Sequence, residues 1–443
     1  MRFPRSLRRS QSALALLGLL AACGNDTGAS PVPVYAPTAK LLVISDPHYF
    51  APSLGTSGAA FESYLAHDRK LIAESDAIMR ALVGLVAAEN PQFVLISGDL
   101  TKDGELLSHE ETAAYLRQMQ AGGRRIFVVP GNHDIENGGA SSYSGDTVTS
   151  VDTISAADFA TIYQDFGYGD ARARDPNSLS YVAELVPGLW LLALDSCIYG
   201  DTRGSSQTAG AFSDGTRAWI TARLAEAKRQ GIRVVGMMHH GLLEHFGYQA
   251  LIFPEFVVND RDAVAGLLSS GGLGAMFTGH FHANDITKGV PSGQTLSVYD
   301  IETGSAVTYP CPYRVVDLAS DVLTITTKHV TAIDYDLGGA PDFQTYAHDS
   351  LRVGLESLIT DLIQTPPYSL PADQAAAIAP WLGDGLVAHY AGDEVMPADA
   401  LAESQALAAT PGFTVELAGA MLLSIWTDLP PPDNQVTIDL AAR

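Results

Sequence analysis

The feature that most constrains the fold of this chain is a junction at which a short apolar run ends directly in polar side chains. The junction occurs five times between residues 40 and 282. Its polar residues are Asp46 and His48, then Asp99, then Asn132, His133 and Asp134, then His239 and His240, and last His280 and His282. Longer segments with helical spacing of apolar residues, at 70–88, 109–121 and 214–229, lie between several of these runs. This alternation predicts an α/β fold built from layered sheets.

The apolar runs have the length and composition of buried strands. The sequence predicts strands at residues 40–45, 93–96, 125–129, 189–194, 233–238 and 275–278. Later runs at 295–301, 313–318 and 322–329 have the pattern of plain antiparallel strands, which we expect to complete a second sheet. The stretch 134–155 is rich in Gly, Ser and Asp, and it predicts a long loop beside the polar junctions.

The five junctions are expected to meet in space, because the carboxyl ends of strands in an α/β sheet line one crevice. Their carboxylate, imidazole and amide groups are the ligands that suit first-row divalent metals. A glycine precedes Asp99, Asn132 and His280, which allows the tight turns that would aim these side chains inward. Each junction alone is a weak signal, but five in one order along one chain predict a metal site.

The pattern of apolar residues changes after residues 337–341, a segment that contains Gly338, Gly339 and Pro341. Up to this break we predict one catalytic domain, residues 40–335. Beyond it, residues 345–427 are rich in Ala and Leu at helical spacing, and we predict a small helical C-terminal domain over 345–443. The sequence leaves open whether this domain caps the site, pairs with another subunit or stabilises the edge of a sheet. The oligomeric state is equally open.

The first 23 residues predict a targeting signal, with an arginine-rich start and an apolar stretch from Ala13 to Leu20. Leu20, Ala21, Ala22 and Cys23 then resemble a bacterial lipobox, in which the cysteine is lipidated. A polar tether over residues 24–39 would follow. We therefore expect an exported protein anchored by lipid at Cys23 to a bacterial membrane, facing the periplasm or the cell exterior. A plain signal peptide is the alternative.

The net charge and the cysteine content indicate which classes of binding partner and which kinds of cysteine to expect. The net charge of −24 disfavours binding to nucleic-acid polymers, whose phosphates an acidic surface repels, but it allows a small anionic substrate at a metal. With Cys23 lipidated, only Cys197 and Cys311 remain, and we expect two buried free thiols, a disulfide being the alternative. We therefore expect a small-molecule substrate and a membrane contact through the lipid.

The five junctions together resemble the motifs of the calcineurin-like metallophosphoesterase superfamily: D-x-H, G-D, G-N-H-[DE], a later His, and G-H-x-H. The sequence matches each motif in order across about residues 40–330. Its GNHD, HH and GHFH forms resemble class III cyclic-nucleotide phosphodiesterases, and a lipobox with a helical C-terminal domain is similar to bacterial lipoprotein members of that group. The resemblance implies a four-layer α/β/β/α sandwich and two divalent metal ions, with Mn, Fe and Zn all suitable.

The resemblance also implies a role for each residue. One metal would be bound by Asp46, His48 and His282, the other by Asn132, His239 and His280, and Asp99 would bridge the two. The family pattern favours His239 over His240 as ligand. His133 would act at the leaving group without binding a metal, and Asp134 would orient its ring. His280 and His282 flank one residue, so that on an extended segment both imidazoles face the same side.

The function that follows is hydrolysis of phosphodiesters, with cyclic nucleotides as one substrate class, by attack of a metal-bridging hydroxide. A phosphomonoesterase or nucleotidase is the first alternative. A metal- or solute-binding lipoprotein without catalysis is the second, and it would not need His133 and Asp134 beside a complete ligand set. A serine hydrolase is disfavoured because the chain lacks the G-x-S-x-G motif. The expected pocket loops, 50–66, 134–180 and 241–260, carry no substrate signature.

Overall fold

The computed structural model describes residues 33–199, 206–366, 368–410 and 412–442. The predicted signal peptide, Cys23 and most of the predicted tether lie outside these residues. Within them, no helix combines the length and the apolar composition that crossing a membrane requires. Both described cysteines are free: Cys311 is buried and Cys197 is half-buried.

Fifteen strands lie in the part of the chain that the structure describes. They are β1 (Thr38–Ile44), β2 (Phe93–Ile96), β3 (Arg125–Val128), β4 (Ser141–Ser144), β5 (Thr147–Ser150), β6 (Ala173–Arg174), β7 (Tyr181–Val186), β8 (Leu189–Ala193), β9 (Arg233–Met237), β10 (Ala275–Thr278), β11 (Ile286–Gly289), β12 (Val298–Glu302), β13 (Pro312–Ala319), β14 (Val322–His329) and β15 (Gln435–Asp439).

The α-helices of the described residues alternate with these strands and then follow them. They are α1 (Ala59–Leu65), α2 (Ser75–Glu89), α3 (Leu106–Met119), α4 (Ala156–Ile162), α5 (Asp214–Gln230), α6 (Gln249–Ile252), α7 (Arg261–Gly271), α8 (Phe343–Gln364), α9 (Ala372–Ala391), α10 (Ala398–Ala409) and α11 (Phe413–Ile425).

Most strands belong to two sheets. The first has the order β15-β14-β13-β1-β2-β3, and the second has the order β11-β12-β10-β9-β8-β7-β6. In the first sheet β1, β2 and β3 are parallel, and in the second β8, β9, β10 and β12 are parallel. The polar junctions follow β1, β2 and β3 of the first sheet and β9 and β10 of the second. The two sheets share one core, and their packing brings the two sets of strand ends together.

Strand β8 shows how the layers pack. Leu189 and Leu191 join the core that also contains β1 and β2, whereas Trp190 and Leu192 pack with Ile220 of α5 on the opposite face. Successive strand residues point to opposite faces, so a strand covered on both sides is apolar throughout. Helices α2 and α3 contribute their buried residues to the core of the first sheet. The predicted four-layer α/β/β/α sandwich is confirmed.

Three expectations about local structure differ from what is observed. The predicted loop 134–155 contains the hairpin of β4 and β5. The run 295–301 corresponds to β12, which is parallel to β10 and antiparallel only to β11. The runs 313–318 and 322–329 correspond to β13 and β14, which extend the first sheet. The sequence pattern of a strand indicates which faces are buried but not which strand it pairs with, since pairing depends on tertiary packing.

The C-terminal helices enclose a core of their own, in which Leu355 and Ile359 of α8 meet Ile378 and Leu382 of α9. Phe281, from the GHFH motif, lies in this same core. The chain then returns to the first sheet, where β15 pairs antiparallel with β14. This strand lies beyond residues 345–427, where helical spacing was expected, and inside the predicted domain 345–443. The domain limits 40–335 and 345–443 stay a prediction.

Candidate metal centre

The junction side chains meet in two groups that share the carboxylate of Asp99. In the first group, His48 Nε2 lies 3.1 Å from His282 Nε2, which is 3.7 Å from Asp46 Oδ1. In the second, His239 Nε2 lies 3.0 Å from Asn132 Oδ1. Asp99 Oδ2 is 3.5 Å from the Nε2 atoms of both His48 and His239. Asp99 therefore stands between the two groups, and His280 completes the second.

The backbone at these junctions is unusual. Five of the converging residues have left-handed backbone conformations although none is glycine, and they are Asp46 (φ 49°), His48 (φ 37°), Asp99 (φ 46°), His280 (φ 81°) and His282 (φ 73°). Such conformations each cost about 1–3 kcal/mol for residues of this kind and persist where the surrounding fold imposes them, typically at functional sites. The backbone at these strand ends is therefore strained, and this conformation directs the side chains into the cluster of junction residues.

The three glycines before the junctions serve different purposes. Gly98 has a φ of 98°, so it does provide a conformation suited to glycine. At Gly131 a Cβ atom would lie 2.1 Å from the backbone N of Asp99. At Gly279 it would lie 1.9 Å from Ser45 Oγ and 2.4 Å from Asp46 Oδ2. Two of the three are therefore required because two strand ends approach each other closely, rather than for a turn.

Hydrogen bonds outside the cluster fix which imidazole nitrogen points inward. His239 Nδ1 lies 2.9 Å from the carbonyl oxygen of Ser97, and His280 Nε2 lies 3.3 Å from that of Glu255. A ring N–H that donates to a carbonyl leaves the other nitrogen with its lone pair, as in metal-binding histidines. Asp46 Oδ1 is buried and has no hydrogen-bond partner among the described residues. The donor atoms therefore fit divalent metal ions, although the ligand roles themselves stay a prediction.

The charges of the cluster compensate one another. Burial raises the pKa of Asp46 to about 7. Burial also tends to raise the pKa of Asp99, but the nearby charges of His239 and His133 hold it well below its usual value. Asp99 is therefore an anion at neutral pH, and its position between the two groups suits a carboxylate shared by two cations.

His240 differs from His239, its neighbour in sequence. Its Nδ1 lies 2.8 Å from Ser196 Oγ and its Nε2 lies 2.9 Å from the carbonyl oxygen of Thr208. Burial lowers its pKa to about 3, so that the ring is neutral. Because both ring nitrogens have protein partners, the geometry leaves His239 as the one of the pair with a nitrogen available to the cluster.

His133 lies beside the cluster with its ring 24% exposed, and its Nε2 is 4.0 Å from Asp99 Oδ2. Its Nδ1 lies 2.9 Å from Asp103 Oδ1. The Asp103 carboxylate also pairs with Lys102, which is buried beneath the aromatic rings of Phe50, Tyr64 and Tyr143. Asp103 is thus a fixed partner for the imidazole.

The expectation that Asp134 orients this ring is corrected by these contacts. Asp134 accepts hydrogen bonds from the backbone N–H groups of Leu100, Thr101 and Gly131, at 2.8 to 3.0 Å. It ties the loop after β2 to the loop after β3, while Asp103 takes the place beside His133. The sequence holds only a faint signal for Asp103: it follows Asp99 within the same loop, and the acidic run that contains it is typical of the exposed start of a helix.

The cluster opens into a cavity of about 280 Å³. Beside His48, Asp99, Asn132, His133, His280 and His282, its wall includes residues without a motif, which are His67, Asp68, Arg69, Lys70, Thr208, Phe256, Gly354 and Leu358. Gly354 and Leu358 belong to α8, so the C-terminal helices form part of the wall. No sequence signal linked α8 to the junctions.

Comparison with known proteins gives one family and a set of similar folds. The family model described as "Calcineurin-like phosphoesterase" matches residues 39–284. A dimetal phosphatase from Danio rerio is similar in structure with a TM-score of 0.47 and 17% identity, covering 66% of this chain and 97% of that one. A protein from Thermus thermophilus is similar with a TM-score of 0.37 and 12% identity, covering 66% and 100%. Among curated proteins, none matches the sequence.

Proposed function

The chain belongs to the calcineurin-like phosphoesterase family, and from this we propose that it hydrolyses small phosphodiesters, cyclic nucleotides among them, with the help of two divalent metal ions. The observation that carries the proposal is the position of the Asp99 carboxylate, 3.5 Å from an imidazole nitrogen of each ligand group and at the wall of an open cavity. Mn, Fe and Zn all suit the oxygen and nitrogen donors.

The ligand roles proposed are those that the motifs imply. Asp46, His48 and His282 would hold one ion, and Asn132, His239 and His280 the other, with Asp99 between them. When bound, such ions supply Lewis acidity, which activates water and offsets the charge of a phosphoryl group. Five of these residues have left-handed backbones, and four of the five, His48, Asp99, His280 and His282, line the cavity.

His133 would protonate the leaving oxygen. Its Nδ1 is held by the Asp103 carboxylate, an arrangement that fixes the ring and favours the protonated imidazole. Nε2 is then the atom that carries the transferable proton, and it lies on the Asp99 side of the ring. Asp134 would act through the backbone of the two loops instead of through the imidazole.

The choice of a diester rests on the GNHD, HH and GHFH forms of the motifs, which resemble class III cyclic-nucleotide phosphodiesterases. A phosphomonoesterase remains the second candidate, because Arg69 and Lys70 place two cations in the cavity wall and a monoester carries the larger negative charge. Export and lipid attachment at Cys23 are likewise proposals, supported by the lipobox resemblance alone.

The test compares hydrolysis of bis(p-nitrophenyl) phosphate and p-nitrophenyl phosphate by the chain from Asp26 onward. Each assay is run after chelation and after addition of Mn, Fe or Zn, with Asp99→Ala as control. We expect metal-dependent cleavage of the diester that is absent from the control. A preference for the monoester would select the second candidate, and no cleavage of either ester with any metal would favour a binding protein.

A further inference from the structure

The segment Asp68 to Lys70, between α1 and α2, forms one side of the cavity that contains the junction residues. It places a guanidinium and an ammonium beside the proposed ligands. Both residues line the same cavity as His48 and His282. Neither residue belongs to a junction motif, so the motifs do not account for this concentration of positive charge.

The segment is held in place from several directions. Asp68 accepts a hydrogen bond from the backbone N–H of Lys70 at 2.9 Å, and its other oxygen bonds the hydroxyl of Tyr64. The N–H of Leu71 donates to the carbonyl of Val307 at 2.7 Å. The two cations therefore extend from an ordered piece of backbone, so that little entropy is lost when they bind a ligand.

Helix α8 packs directly against this segment. A Cβ atom at Gly354 would lie 3.0 Å from the Cα of Arg69 and 3.1 Å from the carbonyl oxygen of Asp68. Only a glycine allows this contact without displacement of one backbone. The C-terminal helices thus fix the position of Arg69 relative to the cavity, and Tyr390 of α9 contacts its guanidinium.

The charge of the segment is not balanced within it. Lys70 Nζ lies 3.5 Å from Asp68 Oδ2, which offsets one of the two positive charges. Arg69 Nε is buried and has no hydrogen-bond partner among the described residues. The Arg69 side chain also lines the cavity, where a planar guanidinium suits a carboxylate or a phosphate oxygen pair, which it binds with two parallel hydrogen bonds.

We propose that Arg69 and Lys70 bind a negative charge of the substrate beyond the single charge of a simple phosphodiester. The inference rests on the proposed phosphoesterase function and narrows the substrate class to small phosphoesters with two or more negative charges, a class to which a cyclic mononucleotide, with its single negative charge, does not belong. The second charge has two sources, either the phosphoryl group of a monoester or a separate acid group on the rest of the molecule.

The test uses phosphonates, which bind without being hydrolysed, so that it does not depend on turnover. Three probes are compared by calorimetry at pH 8 with the manganese-loaded protein. Monomethyl phenylphosphonate carries one charge, phenylphosphonate carries two on phosphorus, and monomethyl (3-carboxyphenyl)phosphonate carries the second on the ring. We expect one doubly charged probe to bind about tenfold more tightly than the singly charged one. Which of the two does so identifies the source of the charge.

Substitutions then locate the effect. Arg69→Gln or Lys70→Gln should reduce the affinity ratio to between one and about two, and Arg69→Lys should retain most of it because the charge remains. The matched control is Arg352→Gln, since Arg352 is an exposed arginine of α8 that pairs with Asp384. This variant should keep the full ratio. Circular dichroism establishes that each variant is folded.

Two results would overturn the proposal: equal affinities for all three probes in the unmodified protein, or a ratio that survives both Arg69→Gln and Lys70→Gln. Failure of the proposed function would look different. The protein would then cleave neither p-nitrophenyl ester, while the phosphonate ratios would still report whether the two cations recognise charge.

Discussion

Two parts of the molecule face the same cavity and are built in different ways. On one side, the junction residues are buried at the ends of parallel strands, with left-handed backbones and adjoining glycines. On the other side, Gly354 and Leu358 belong to a helix about seventy residues beyond the last motif. The first part is determined by local sequence, and the second by how distant helices pack. If the proposals above hold, the chemistry and the choice of substrate are specified by separate parts of the chain.

Phe281 joins the two parts. It lies between His280 and His282, yet its side chain packs in the C-terminal core, with its ring centroid 5.8 Å from that of Phe246 and 6.1 Å from that of Tyr390. His280 and His282 line the cavity while Phe281 packs with the helices. The left-handed backbones of the two histidines produce this arrangement, so the expectation of an extended segment was wrong. A shift of the C-terminal helical core would therefore displace Phe281 and, with it, the adjacent proposed ligands His280 and His282.

The largest loss of activity should come from substitution of a junction residue. Asp99→Ala removes the carboxylate shared by both ligand groups, so we expect kcat/KM for the phosphoester to fall more than about 10⁴-fold. Metal analysis should show fewer than two ions per chain. Asp146→Ala is the control, because Asp146 is an exposed carboxylate on the β4-β5 hairpin. An Asp99→Ala protein that kept both ions and its activity would contradict the placement of the centre.

His133→Ala is expected to separate catalysis from metal binding. The ring lies beside the cluster without belonging to a ligand group in the proposal, so both ions should remain while kcat falls by about 10²- to 10³-fold. Loss of metal in this variant would instead make His133 a ligand. Substrates with a better leaving group should suffer less, since they need less protonation of the leaving oxygen.

The carboxylates at Asp103 and Asp134 offer a matched pair. Asp103→Asn weakens the contact with His133 Nδ1 and removes a charge that is paired with the buried Lys102. We therefore expect kcat to fall about tenfold with KM little changed, together with some loss of thermal stability. Asp134→Asn disturbs three backbone hydrogen bonds between two loops, so it should lower the free energy of unfolding by about 2–3 kcal/mol. Urea titration and steady-state kinetics on both variants check the assignment. The reverse pattern would restore Asp134 as the partner of the imidazole.

The sequence predicted the layered fold and the positions of most central elements. Helices α2, α3 and α5 and strands β1, β2, β3 and β10 lie where apolar spacing indicated. This succeeded because burial on one or both faces leaves a periodic pattern in the residues themselves. The grouping of Asp46 with Asp99 could also be anticipated, since the parallel strands β1 and β2 end at one edge of the first sheet. His239 follows β9 of the second sheet, so its approach depends on how the two sheets pack.

The features that escaped prediction depend on pairing and packing. Strand β12 is buried throughout although it contains Asp300 and Glu302, and its parallel pairing with β10 is set by the tertiary arrangement. Asp103 and Asp134 lie in neighbouring loops and are both plausible partners of His133 until the loop geometry is known. Arg69 and Gly354 are more than 280 residues apart, and their contact leaves no periodic trace.

The smallest predicted effect tests the helical side with two glycines of equal helical setting. Gly354→Ala in α8 brings a methyl group to 3.0 Å from the Cα of Arg69, whereas at Gly383 in α9 the nearest atom is Ile359 Cδ1 at 3.8 Å. The gain in helix propensity is about 1 kcal/mol at both positions, but overpacking against backbone offsets it at Gly354. Gly383→Ala should therefore raise the free energy of unfolding, and Gly354→Ala should lower it, with a difference of about 2 kcal/mol in urea titrations. Equal stabilisation by both would mean that α8 does not rest on the Arg69 segment, and the separation of chemistry from substrate choice would lose its structural basis.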